Sequence, residues 1–141
     1  ATKPYTTQGD ALVALQKFCK HYKLPSPTAV VNSGRGLHIY WTLTRSYSRA
    51  EWLPAAERLK TACAEFGLEA DQLVTADAAR VLRIPSTHNF KGDPPLPVVL
   101  VRASDNFVEL EDFVSAFPQP LLPVSLIPAS STRELTVAVV V

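Results

Sequence analysis

The chain has 141 residues, 47% of them hydrophobic and 19% charged, a balance that excludes a disordered polymer and suits one domain with a real core. Lys plus Arg number 14 against 13 Asp plus Glu, so no wholesale electrostatic grip on nucleic acid is implied, and any such binding must come from a local basic patch. No apolar run approaches the roughly 18 residues of a membrane span and no signal peptide opens the chain, which argues against a membrane partner.

Taken in order, residues 1–6 carry no pattern. Thr7 then reads as a helix N-cap, with Asp10 three residues on completing a capping box. Ala11, Leu12, Leu15, Phe18, Cys19 and Tyr22 fall on one face of this first helix, and Leu24 and Pro25 close it. Pro25-Ser26-Pro27 is a stiff connector into residues 30–43, which read as two strands joined by a tight Ser33-Gly34-Arg35-Gly36 turn. On the second strand Leu37, Ile39 and Trp41 share one face, and His38, Tyr40 and Thr42 the other. Turn backbone N–H groups, the Arg35 guanidinium and the His38 imidazole could converge on one phosphate. The same residues also suit a plain glycine turn followed by a structural histidine, and this stretch alone leaves both readings open.

A second capping box, Ser48 with Glu51, starts the clearest helix, in which Trp52, Ala55, Ala56, Leu59, Ala62, Cys63 and Phe66 repeat at helical spacing up to a Gly67 stop. Cys19 and Cys63 lie in apolar helical patterns away from zinc-ligand spacing, as expected of reduced core thiols in a cytoplasmic protein. Residues 68–91 differ in character, mixing Asp71, Asp77, Arg80, Arg83, His88, Asn89 and Lys91 with short apolar pieces. Residues 75–83 are expected to form a short helix capped by Thr75 or Asp77, with Arg80 and Arg83 one turn apart. Pro85 ends it, 86–92 reads as loop, and the prolines at 94, 95 and 97 extend the irregular stretch. Residues 98–101 are a third strand, expected to be buried because it is apolar throughout. Leu110, Phe113, Val114 and Phe117 suggest a short helix, residues 118–132 a proline-rich linker, and residues 134–141 a last strand whose partner is expected outside the chain. The chain opens on Ala1 and contains no methionine, as expected of a piece trimmed from something longer.

Asn-Ser-Gly-Arg-Gly-Leu-His-Ile-Tyr-Trp at 32–41, followed by Thr-Ala-Asp-Ala-Ala-Arg-Val-Leu-Arg-Ile-Pro-Ser-Thr-His-Asn-Phe-Lys at 75–91, resembles the archaeo-eukaryotic primase superfamily, and most closely the primase-polymerase domains of phages, plasmids and other mobile elements. The resemblance covers most of residues 1–117 and implies an α/β catalytic core with an RRM-like mixed or antiparallel sheet and flanking helices. It implies template-directed nucleotidyl transfer to a 3′-hydroxyl, with a DNA template or primer and an NTP or dNTP as partners, two Mg2+ or Mn2+ ions as cofactors, and room for a fused or associated helicase. In the family a histidine ends the second motif and contacts the phosphates of the incoming nucleotide; His38 stands there, with Ser33, Arg35 and Gly36 in the turn before it. The metal-binding aspartate of the third motif fits either Asp71 or Asp77, with Asp71 favoured by its distance from the basic residues that follow. Arg83 and Lys91, then Arg80 and Asn89, fall where the family contacts triphosphate or template.

The family's first motif, an Asp-x-Asp or Asp-x-Glu pair, has no match in residues 1–10. Two readings follow: the pair and its strand lie upstream of Ala1, or the protein is an inactive nucleotide- or single-strand-binding relative. A replication-initiator nuclease with a His-x-His metal pair fits less well, since His38-Ile39-Tyr40 holds one histidine.

Overall fold

Local sequence starts both long helices in the same way. In the computed structural model, which describes residues 5–79, 81–118, 132–133 and 136–140, the Thr7 hydroxyl accepts the Asp10 N–H at 3.1 Å. The Asp10 carboxylate in return accepts the Thr7 N–H at 3.0 Å, which starts α1 (Gln8–Tyr22). Ser48 and Glu51 make the same reciprocal pair at the start of α2 (Arg49–Phe66). Each box satisfies two N–H groups that a helix start would otherwise leave open. Gly67 ends α2 in the left-handed region at φ 82°. A third, short helix, α3, spans Leu110–Ser115.

The strands are β1 (Ala29–Asn32), β2 (Leu37–Thr42), β3 (Tyr47–Ser48), β4 (His88–Asn89), β5 (Leu96–Pro97), β6 (Val99–Ala103), β7 (Thr132–Arg133) and β8 (Thr136–Val140). Four of them form an antiparallel sheet in the order β6-β1-β2-β8, and β3–β7 and β4–β5 are separate antiparallel pairs. The fold is therefore mixed α/β, with antiparallel sheets and flanking helices.

Strand alternation sorts β2 as its sequence requires. Leu37, Ile39 and Trp41 are buried in one core with Phe18 of α1, Leu59 of α2 and Phe113 of α3. Each such side chain removed from water contributes about 1.5–3 kcal/mol. The Trp41 indole N–H donates to the Pro25 carbonyl at 2.9 Å, so this core residue keeps no unmet polar group. Tyr47 ties α3 to β3: its hydroxyl accepts the Leu110 N–H at 3.2 Å and donates to Glu111 at 3.1 Å, while the Arg45 guanidinium lies 3.7 Å from its ring centre. On the other face of β2, His38 pairs with Val31 of β1, and both are buried. Cys19 and Cys63 are free thiols, pushed up by burial to about 11 and about 12, so both stay protonated.

Four expectations are corrected. The segment expected as a helix at 75–83 holds no helix among its described residues: 75–76 and 78–79 lie in turns and 81–83 are irregular. The Asp77 carboxylate accepts the Ala79 N–H two residues on at 2.9 Å, as the Asp71 carboxylate does that of Leu73 just upstream. Such Asx turns compete with the helical ladder. Arg80 lies outside the described residues. The strand at 98–101 is shifted to Val99–Ala103, and only Val98 is buried: Val99, Leu100 and Val101 lie on an edge strand and are exposed. The loop expected at 86–92 contains β4, which pairs with β5. The last strand finds its partner within the chain, since Thr136–Val140 pairs with β2 from His38↔Val140 to Thr42↔Thr136. The linker expected at 118–132 lies almost wholly outside the described residues.

Candidate functional site

The turn between β1 and β2 is closed by the Ser33 N–H and hydroxyl, which donate to the Gly36 carbonyl at 2.9 and 3.0 Å. Gly34 takes φ 88°, open to glycine at little cost, and its N–H donates to the Asn32 side chain at 2.7 Å. Two amides brace this turn from opposite ends. Gln8, at the start of α1, exchanges reciprocal hydrogen bonds with Asn32. Asn89 of β4, only 3% exposed, donates to the Ser33 carbonyl at 2.8 Å and accepts the Lys91 N–H at 3.0 Å. The β4–β5 pair is thereby fixed against the turn, and Leu96 packs directly on Gly34.

An open cleft of about 530 Å³ lies beside His38 of β2, and its lining includes Asp71, Arg83 and Lys91. Val74, Val81, Leu82 and Ile84 give it an apolar wall, and Thr87 adds a hydroxyl. His38 is 7% exposed, and its buried Nδ1 meets no hydrogen-bond partner among the described residues. A buried ring nitrogen left in this state is the kind of atom that a ligand or water completes. Burial, and secondarily the Arg83 charge, hold the imidazole below its ordinary value, so it is neutral at pH 7. Asp71 is anchored by its backbone: its carbonyl accepts the hydroxyl of the buried Thr75 at 2.9 Å. The cleft thus combines two fixed cations, one carboxylate, one neutral imidazole and an apolar wall.

The remaining expected site residues have other positions. Asp77 does not line the cleft; its carboxylate serves the turn at Ala79. Ser33, Gly36 and Asn89 spend polar atoms on the turn and its brace. The Arg35 guanidinium lies over Gly92, where any side chain would overlap it. The apolar wall at Val74, Val81, Leu82 and Ile84 is the part sequence reasoning missed, because apolar residues in an irregular segment carry no periodic signal.

The donor set does not fit the pair of Mg2+ or Mn2+ ions that the resemblance implies. Among the described residues Asp71 is the one carboxylate lining the cleft, and no group of three or more His, Cys, Asp or Glu could hold an ion. Two hard cations require several oxygen ligands, which one aspartate does not provide.

The chain is similar to a replication protein. That protein, from Clostridium perfringens, is 32% identical over 87 residues, which are 60% of this chain and 21% of the relative. The chain therefore spans about a fifth of the length of the relative it matches. No protein-family model matches the chain, and no solved structure matches it. Among the described residues no helix is long and apolar enough to cross a membrane.

Proposed function

We propose that this chain is the nucleotide-binding part of a replication protein of the primase-polymerase type, and that the cleft beside His38 takes the triphosphate of an NTP or dNTP. The observation that carries this reading is the meeting of His38, Arg83 and Lys91, distant in sequence, around one opening. Arg83 and Lys91 supply charge and N–H donors to phosphate oxygens, and Arg83 can do so in a fork. His38, neutral and short of a partner, offers a ring nitrogen without adding a buried charge. The apolar wall suits the sugar or base, and a DNA template or primer would complete the set of partners. The similarity to a replication protein supports the process; the motifs at 32–41 and 75–91 support the primase-polymerase type.

A second reading, an inactive relative that binds nucleotide without transferring it, is favoured by the single carboxylate in the cleft. Binding and transfer are separable in the test. A fluorescent dNTP analogue titrated in EDTA should bind the wild-type chain, and Arg83→Ala should weaken it about tenfold or more, the loss expected of a charge-assisted contact. Asp71→Asn should tighten it, because the carboxylate then no longer faces the triphosphate. Unchanged affinity in the Arg83→Ala/Lys91→Ala double variant would refute the site. Extension of a labelled primer with Mn2+ added decides between the two readings: incorporation sinks the inactive one.

A further inference from the structure

We infer that the outward face of residues 88–91 is a base-stacking platform for single-stranded nucleic acid, with Phe90 as the stacking side chain. Phe90 is 75% exposed, although burying a phenylalanine is ordinarily favourable. It is not a stray residue on a slack loop. Side chains alternate along extended backbone, and Asn89 points inward to its two hydrogen bonds, so His88 and Phe90 project together on the outside. Their ring centres lie 6.2 Å apart at 50°. The Asn89 brace holds the backbone on both sides of Phe90, so the ring is presented at little conformational cost.

The charge around the ring matches a phosphate backbone. Lys91, its chain neighbour, lines the adjoining cleft together with Arg83, and the Arg35 guanidinium lies over Gly92. Asp71 lines that same cleft, and Asp93 follows Gly92 in the chain. An exposed aromatic beside a cation-lined cleft is the kind of arrangement by which proteins hold unpaired strands without reading their sequence. A strand is favoured over the base of the bound nucleotide because Phe90 does not line the cleft, which has its own apolar wall. The inference extends the nucleotide-binding reading to a second ligand, and the two are measured separately.

The test compares a fluorescein-labelled oligothymidylate of about twelve residues with an abasic strand of the same length, by anisotropy, on the intact chain. The wild type should prefer the thymidylate by about tenfold or more, as one stacked base would give. Phe90→Ala should reduce the thymidylate to the abasic level, and Phe90→Trp should restore the preference. Affinity for the fluorescent nucleotide should be unchanged in Phe90→Ala. A wild type that binds neither strand, or both alike, would overturn the inference, as would a Phe90→Ala variant that keeps the preference. Loss of nucleotide as well as strand by Phe90→Ala would place the ring in the nucleotide site and overturn it too. If Arg83→Ala/Lys91→Ala leaves nucleotide affinity unchanged while the base preference persists, the cleft reading fails and the platform stands.

Discussion

Gly34 and Gly67 form a natural pair for testing how the candidate site is held. Both have positive φ, 88° and 82°, but their surroundings differ. A Cβ on Gly67 would meet nothing within 4 Å, whereas a Cβ on Gly34 would lie 2.8 Å from the Leu96 Cβ. Gly67→Ala therefore bears only the conformational cost, about 1–2 kcal/mol. Gly34→Ala bears that cost plus a backbone-anchored overlap worth about 1–3 kcal/mol. At about 4 °C per kcal/mol for a domain of this size, Gly67→Ala should lower the Tm by about 4–8 °C and Gly34→Ala by about 8–20 °C. Thermal unfolding followed by far-UV circular dichroism measures both. The site adds a second readout: pushing Leu96 away separates β4–β5 from the turn, so Gly34→Ala should also weaken nucleotide binding, while Gly67→Ala should not. Equal losses of stability in the two variants would mean that Leu96 does not press on the turn, and the brace described above would fall.

The remaining predictions concern His38 and Asn89. Arg83→Gln removes a neighbouring positive charge, so the His38 pKa should rise toward its ordinary value of 6.5 in an NMR titration, short of full recovery because burial contributes more. The unfolded chain takes up a proton at His38 near pH 6.5 and the folded chain only lower, so stability should fall as pH drops below 6.5, and less steeply in His38→Gln, as followed by urea unfolding. Asn89→Ala leaves the Ser33 carbonyl and the Lys91 N–H without their partner, at a cost of about 1–3 kcal/mol for each group shut off from water. Asn89→Asp should fare no better in the same unfolding measurement, since a carboxylate can accept from Lys91 but sets an anion against the Ser33 carbonyl.

What could be read from sequence follows the range of the forces involved. The capping boxes at Thr7 and Ser48 are written within four residues, so both long helices begin where expected. The two strands around Gly34 and the inward set Leu37, Ile39 and Trp41 follow from turn chemistry and a period of two. Residues 75–83 misled because Asp77 looks like a helix cap in sequence, yet its carboxylate bonds an N–H two residues on and turns the chain instead. Val99, Leu100 and Val101 misled because an apolar run does not say whether its strand lies at the centre or the edge of a sheet. The family motifs drew Asn89 among the nucleotide contacts, and only three dimensions reveal that its amide is already engaged between Ser33 and Lys91.

The brace around the β1–β2 turn consists of the neutral amides of Gln8, Asn32 and Asn89, whereas the groups proposed to meet a phosphate are the charges of Arg83 and Lys91. Ionic strength acts on these two sets differently. Added salt screens the exposed cations over a distance of about 8 Å at physiological concentration, but leaves amide-to-carbonyl contacts almost untouched. Capture of the proposed anionic ligand should therefore respond to the surrounding electrolyte while the frame that receives it keeps its shape.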